Sequence, residues 1–171
     1  MINTRKENNE VLYSTENFVS LTGDDLSQMK EMAKSNDRNR IRICTHQSVD
    51  DDVHEMIIYH PKDSYVPPHM HIEKDESFHL ISGEITLILF NENGKINKTL
   101  GMGDYKTGKS FYYRIPAGTY HTQIFIQDTF FHEVTRGPFD KKDSIIADWA
   151  PDENESLLVK EYLNKIKNNY I

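Results

Sequence analysis

The chain has 171 residues, of which 37% are hydrophobic and 27% charged, and its formal net charge is -7. This composition is typical of one soluble domain with a core of its own, and no apolar run approaches the roughly 20 residues that a membrane helix needs. The basic residues are scattered, which argues against a nucleic-acid surface. Cys44 is the single cysteine, so no intrachain disulfide can form. Together with an N-terminus that lacks the apolar segment of a secretory signal, this predicts a cytoplasmic protein.

The N-terminal part of the chain changes character near residue 20. Residues 1–19 are polar, and we expect them to be loosely ordered. Residues 20–36 are predicted to form a short helix, because Thr22 and Asp25 have the spacing of an N-cap and its N3 partner.

The segment from about residue 40 to 135 loses the helical period and alternates apolar with polar residues, as strands do. We expect Ser82 and Gly83 to close one hairpin, and Gln127 and Asp128 to close another. Many short strands with closely spaced turns predict an all-β sandwich or barrel.

The C-terminal segment, residues 150–169, is predicted to be helical. Leu158, Tyr162 and Ile166 would lie on one stripe of this helix. The whole chain, residues 1–171, is therefore interpreted as a single domain in which a β-barrel has a helix at each end.

A candidate metal site lies within this barrel. His69 and His71 are two residues apart, so in a strand they point to one face. Glu76 follows after a bend, and His121 opens a later strand behind the turn residues "PAG". Three imidazoles and one carboxylate suit a divalent first-row transition metal with one or two open positions, and the pattern leaves zinc, iron, manganese and nickel open.

The joint pattern H-x-H-x(4)-E-x(6)-G with a later P-x-G-x(2)-H resembles the signature of the cupin superfamily over about residues 57–134. The resemblance implies a jelly-roll barrel, also called a double-stranded β-helix. Carried over residue by residue, it implies four metal ligands: His69, His71, Glu76 and His121. Asp63 and Phe125 replace a glycine and an asparagine that are usual in the family, but both positions commonly vary.

A closer resemblance is to WbuC-type cupin-fold metalloproteins, over roughly residues 16–155. It rests on "DRNRIRICTHQSVDDDVHEMIIYHPKDSYVPPHMH", "ITLILFNENGKI" and "FHEVTRGPFDKKDSIIADWAPDE". This family occurs in bacterial polysaccharide gene clusters, so the resemblance implies a role in surface polysaccharide biosynthesis.

Strand parity predicts further residues in the cavity. If Gln127 and Asp128 form a two-residue turn, Gln123 pairs with His132, and both point inward beside His121. Gln123 would then contact the substrate, and His132 would move a proton, or act only as a core histidine. A shift of the turn by one residue would reverse this assignment. His79 is expected to point away from the metal.

Two arginines and two tyrosines are candidates for substrate binding. Arg40 and Arg42 share a strand face and would bind an anionic group, or else form ion pairs at a solvated edge. Tyr113 and Tyr120 flank the "PAG" turn and would stack on a sugar or merely pack.

The apolar residues Ile88 and Phe90 are predicted to face outward from their strand. A second sheet, a helix or a partner subunit must cover them. Because cupins commonly pair through their sheets, we expect a homodimer.

The function predicted first is that of a metal-dependent enzyme acting on a small polar substrate, such as a sugar or nucleotide-sugar. It would be an isomerase or epimerase in which Glu76 and His132 are catalytic. The alternatives are a metal-dependent dioxygenase, a non-catalytic cupin that binds a small molecule, and a structural domain with a remnant site.

Overall fold

A computed structural model describes residues 2–171, and their strands form two separate hydrogen-bonded sheets. In chain order the strands are β1 (Thr4–Lys6), β2 (Val11–Ser14), β3 (Ile41–Cys44), β4 (Val53–His60), β5 (His69–His71), β6 (Glu76–Ser82), β7 (Glu84–Phe90), β8 (Ile96–Gly103), β9 (Tyr112–Ile115), β10 (His121–Phe125), β11 (Thr129–Arg136) and β12 (Ser144–Ile146). The larger sheet has the order β1-β2-β3-β4-β11-β6-β9, and the smaller has the order β12-β5-β10-β7-β8. The fold is therefore mostly β, as predicted, while closure into a barrel stays a prediction.

The main core lies between the two sheets. Phe78 and Leu80 of β6 meet Ile85 and Leu87 of β7 and Phe125 of β10 in one buried cluster. Alternate residues of both strands enter this cluster, so β6 and β7 each turn one face inward.

The helix α1 (Gly23–Ala33) begins at the predicted cap. The Thr22 amide donates to Asp25 Oδ2 at 2.8 Å, and the Asp25 amide donates to Thr22 Oγ1 at 3.4 Å. This reciprocal pair satisfies two amides at the open end of the helix. Met29 and Ala33 are then fully buried against a second cluster on the outer face of the larger sheet.

The helix α2 (Ser156–Tyr170) covers the outward residues of β7. Ile88 and Phe90 form a third cluster with Leu163 and Ile166. The sequence left a second sheet, a helix or a partner subunit as the element that covers Ile88 and Phe90, and in the structure it is a helix of the same chain. The buried stripe differs from the prediction, because Leu158 is 47% exposed.

Two predicted hairpins are wrong. β6 and β7 lie in different sheets, and so do β10 and β11, so the turns at Ser82-Gly83 and Gln127-Asp128 carry the chain from one sheet to the other. These corners touch, since a Cβ on Gly83 would lie 2.4 Å from the Asp128 carbonyl oxygen. Gln123 pairs with Leu87 of β7 instead of His132.

Two strands form within residues 2–19, where the sequence predicted loose order, and Met1 lies outside the described residues. β1 pairs with β2, and β2 extends the larger sheet by pairing in parallel with β3. Leu12 is 3% exposed and packs beside Met29 of α1. This partner is distant in the chain, which is why local polarity alone predicted loose order. No helix among residues 2–171 is long and apolar enough to cross a membrane.

Candidate metal centre

Three strands bring His69, Glu76 and His121 together between the sheets. β10 pairs with β5 so that His121 lies opposite His69, and Glu76 enters from β6 of the other sheet. One ligand atom from each of the three side chains lies within 4.8 Å of the other two. This spacing is that of a candidate three-residue metal site.

The tautomers of two histidines are set by backbone carbonyl groups. Nδ1 of His69 lies 3.0 Å from the Pro67 oxygen, and Nδ1 of His121 lies 2.9 Å from the Thr119 oxygen. A carbonyl oxygen only accepts, so each Nδ1 carries the proton and each Nε2 keeps its lone pair. Metal-binding histidines are commonly oriented in this way.

Nε2 of His121 provides the test of fit for a metal. It is buried and has no hydrogen-bond partner among the described residues, and Glu76 Oε2 lies 3.5 Å away, at the limit of a hydrogen bond. A buried polar atom is normally satisfied. A divalent cation between the imidazoles and the carboxylate would satisfy it, so these residues fit the metal that the sequence predicts.

His71 lies at the edge of this triad. Its Nε2 is 3.5 Å from Glu76 Oε2, but its ring centre is 6.3 Å from that of His121. Its Nδ1 lies 3.1 Å from Ser144 Oγ. The predicted fourth ligand therefore approaches the carboxylate but lies outside the compact group of three.

The electrostatics keep His69 and Glu76 in their metal-binding forms. Burial, reinforced by the neighbouring His121, lowers the pKa of His69 to about 4, so this imidazole is neutral at pH 7. Burial by itself raises the pKa of Glu76. The adjacent imidazoles, His121 foremost, outweigh burial and hold that pKa well below its usual range.

Gln123 and Tyr113, predicted to bind substrate, form a buried chain that ends on Glu76. The Gln123 side-chain amide donates to the Tyr113 hydroxyl at 2.7 Å, and that hydroxyl donates to Glu76 Oε1 at 3.0 Å. Burial and the charge of Glu76 raise the Tyr113 pKa well above its usual value, which keeps the hydroxyl protonated. The chain thus holds one carboxylate oxygen while the other faces the histidines.

His132 is not on the inward face, and its predicted position is wrong by one residue. It pairs in register with His79, and its Nε2 lies 3.6 Å from Glu55 Oε1. The cause is the corner at Gln127-Asp128, because β11 joins the larger sheet instead of continuing beside β10.

Glu133 occupies the inward position that was predicted for its neighbour. It lies between Met56 and Phe78, which both enter the main core. Burial and then the charge of Glu76 raise the pKa of Glu133 to about 8. Among the described residues no side chain forms a hydrogen bond or ion pair with this carboxyl group. In the sequence, only a correct assignment of the inward and outward positions in "FFHEVT" would have indicated Glu133.

The two predicted arginines have different surroundings. Arg40 is engaged, since its Nε lies 3.1 Å from Glu10 and its Nη2 lies 3.6 Å from Glu153. Arg42 is exposed and lies on the face of β3 that enters the main core, opposite Ile58. No carboxylate of residues 2–171 lies within ion-pair distance of it. Only Arg42 is therefore available to an anionic ligand.

Tyr120 points away from the metal centre. It precedes His121 on the strand and packs in the outer cluster, with its ring centre 6.0 Å from that of Trp149. This contact corresponds to the packing alternative of the sequence analysis.

Comparisons with known proteins find one family model and several solved structures of similar fold. A family model described as a domain of unknown function (DUF6016) matches residues 21–102. A solved protein from Shewanella oneidensis is similar with a TM-score of 0.55 and 14% identity, over 86% of this chain and 96% of its own. The DMSP lyase DddQ from Ruegeria pomeroyi is similar with a TM-score of 0.50 and 15% identity, over 77% of this chain and 58% of its own.

A third solved neighbour is a sugar phosphate isomerase from Silicibacter pomeroyi, described as belonging to the cupin superfamily. Its TM-score is 0.40 at 16% identity, over 51% of this chain and 52% of its own. This chain therefore spans little more than half of the last two neighbours, and at these identities the likeness concerns the fold. Curated protein sequences give no significant match.

Proposed function

We propose that this protein is a metal-dependent enzyme of the cupin type that acts on a small polar substrate. The observation that carries the proposal is the convergence of His69, Glu76 and His121, in which the buried Nε2 atom of His121 has no hydrogen-bond partner within residues 2–171. His71 is proposed as the fourth ligand. The donor set suits one divalent transition metal, with zinc, iron, manganese and nickel as candidates.

The reaction we propose is an isomerisation or epimerisation. A bound metal would act as a Lewis acid on a carbonyl or on vicinal hydroxyl groups of the substrate. Glu133 is then the proton-transfer group, because it faces inward and burial raises the pKa of its carboxyl group, which favours a proton that it can give to the substrate. Tyr113 and Gln123 keep Glu76 in its orientation during the reaction.

The substrate class we propose is a sugar or nucleotide-sugar with an anionic group. Arg42 would bind that group through its planar guanidinium, while Arg40 stays paired with Glu10. With the resemblance to WbuC-type proteins, this favours a step of bacterial surface polysaccharide biosynthesis in the cytoplasm. The expected homodimer is tested by light scattering during size-exclusion chromatography.

Metal content tests the proposal most directly. Purified protein should bind about one equivalent of metal, measured by mass spectrometry of the elements, and Glu76→Gln should weaken binding at least tenfold, about 1.4 kcal/mol. The control is Glu55→Gln, which alters an exposed carboxylate on the outer face of β4. Wild-type protein that binds no zinc, iron, manganese or nickel on reconstitution would exclude the proposal.

The same four donors also suit iron, which keeps a dioxygenase as the second candidate. Assays of candidate substrates with an oxygen electrode separate the two reactions. Isomerisation should proceed unchanged without oxygen, whereas oxygen uptake on substrate addition would favour the dioxygenase. Binding of a metabolite without turnover would favour the non-catalytic cupin.

A further inference from the structure

A short segment after β11 lies directly beside the histidine pair of β5. β12 pairs antiparallel with β5, so that Ser144 lies opposite His71 and Ile146 lies opposite His69. A single 3-10 turn (Lys141–Asp143) precedes β12 and places Asp143 next to the end of β5. The Ile72 amide donates to the Asp143 carbonyl oxygen at 2.8 Å, which fixes this backbone.

The Asp143 carboxyl group is held by one oxygen and unsatisfied at the other. Oδ1 accepts from the Glu73 amide at 2.7 Å. Oδ2 is buried and has no hydrogen-bond partner in the described part of the chain. Its polar neighbours are His71 Nδ1 at 3.6 Å and Lys74 Nζ at 3.9 Å. Since a buried acceptor without a donor is costly, its position beside an imidazole needs an explanation.

His71 needs such a neighbour because it has no backbone carbonyl at its Nδ1 atom. Nδ1 of His69 and Nδ1 of His121 each lie beside the backbone carbonyl oxygen of the residue two positions earlier in the chain. Nδ1 of His71 meets only the Ser144 hydroxyl, at 3.1 Å, and a hydroxyl can donate as well as accept. Ser144 alone therefore leaves the tautomer of His71 open. The Glu76 carboxylate, 3.5 Å from Nε2, favours a proton on that atom in the metal-free protein, whereas a metal ion at Nε2 requires the proton on Nδ1, where the Asp143 carboxylate can accept it.

We propose that Asp143 is a positioning residue for His71. With a metal bound, its carboxylate would hold the proton of His71 on Nδ1, so that the Nε2 lone pair faces the metal centre. Carboxylates commonly orient metal-binding histidines in this way. This proposal rests on the proposed function, because Nε2 of His71 faces the Glu76 carboxylate and gives up its proton only where a metal ion binds.

The tautomer is measured by long-range nitrogen-proton NMR spectra of the histidine rings in zinc-loaded protein. Wild-type His71 should carry its proton on Nδ1. Asp143→Asn should move the population toward Nε2-H, because the amide can donate to Nδ1 while its oxygen still accepts from the Glu73 amide. An unchanged His71 tautomer in this variant would overturn the proposal.

Two controls separate positioning from a general disturbance. The rings of His69 and His121 should keep their tautomers in Asp143→Asn. Asp140→Asn changes an exposed carboxylate of the same segment, which caps the Lys142 amide at 2.8 Å, and should leave His71 as in wild type. If Asp143→Asn fails to fold, Asp143→Ser retains an acceptor for the Glu73 amide and should loosen the preference of His71 in the same direction.

Cobalt binding measures the consequence for the metal centre. Asp143→Asn should weaken Co²⁺ affinity about 10- to 100-fold, determined by competition with a chromophoric chelator. In the His71→Ala background the same substitution should have no further effect. Equal affinity of wild type and Asp143→Asn would overturn the positioning role, whereas wild-type protein that binds neither Co²⁺ nor zinc, iron, manganese or nickel would overturn the proposed function instead.

Discussion

At the residue scale, Tyr113 shows how the metal centre depends on a side chain that is not itself a ligand. It is 6% exposed and bridges Gln123 and Glu76 through its hydroxyl group. In Tyr113→Phe both partners lose a buried hydrogen bond. We expect the free energy of unfolding to fall by about 1–3 kcal/mol in urea titrations, and Co²⁺ affinity to fall with it.

Tyr112 provides the matched control for this change. It is the adjacent residue of β9, is 50% exposed, and its hydroxyl lies 3.2 Å from Ser77 Oγ. Tyr112→Phe should alter the free energy of unfolding by less than about 0.5 kcal/mol. Equal losses in the two variants would show that the bridge to Glu76 contributes nothing specific.

Glu133 should give the metal-free protein a distinct pH dependence. Its pKa is about 8 in the folded state, whereas an unfolded glutamate has a pKa near 4.3. Between these values the folded state holds a proton that the unfolded state has released. The free energy of unfolding should therefore decrease as pH rises across this range, by an amount on the order of a few kcal/mol.

Glu133→Gln should remove this dependence, since glutamine does not titrate. In urea titrations of metal-free protein at pH 5, 7 and 9, the free energy of unfolding of the variant should increase relative to that of wild type as pH rises. Glu55→Gln serves as the control, because the carboxylate that it replaces is exposed. Parallel pH profiles of wild type and Glu133→Gln would refute the assignment.

At the scale of elements, α2 takes the place of a partner subunit on the outer face of the smaller sheet. Leu163 is 6% exposed and packs with Ile88 and Phe90. Leu163→Ala should lower the free energy of unfolding by about 2–5 kcal/mol, because it leaves a cavity under the helix. Thermal or urea unfolding measures this loss.

Leu158 of the same helix is the control, since it is 47% exposed. Leu158→Ala should cost less than about 0.5 kcal/mol. If instead Leu158→Ala is the more damaging change, or if it shifts a dimer to monomers, the exposed side of α2 is an interface. Because α2 covers Ile88 and Phe90, these two residues no longer argue for a dimer. The expectation of a homodimer now rests on the family resemblance alone.

At the scale of the whole molecule, the metal centre joins both sheets, because Glu76 belongs to one and the histidines belong to the other. Metal binding should therefore stabilise the entire fold. At a free metal concentration about 1,000 times the dissociation constant, the gain is about 4 kcal/mol. For a chain of this size that corresponds to a rise in Tm on the order of 10 °C.

Calorimetry with Co²⁺ or Zn²⁺ measures this rise, and a chelator should reverse it. The rise in Tm should become smaller toward pH 5, because protons compete with the metal for the donor atoms. His121 is the most sensitive donor: burial lowers its pKa, but the neighbouring Glu76 carboxylate has the larger effect and raises it. Mg²⁺ prefers oxygen ligands and should leave Tm unchanged. A Tm that responds equally to Mg²⁺ and Co²⁺ would argue against a nitrogen-rich site.

The sequence by itself determined the features that depend on short spacing. The cap of α1 was predictable from the spacing of Thr22 and Asp25, and the outward direction of His79 from the period of its strand. The grouping of His69, Glu76 and His121 was predictable from one joint pattern. Placing Gln123 on the inward face also needed only the parity of its own strand.

Only the tertiary structure decided what depends on which sheet a strand joins. A two-residue turn looks alike in sequence whether its strands pair or cross between sheets, so His132 was predicted in the place of Glu133. The pairing of Arg40 with Glu10 and Glu153, the cover that α2 provides, and the approach of Asp143 to His71 join residues far apart in the chain. Such contacts follow from the packing of the whole domain, and no local pattern encodes them.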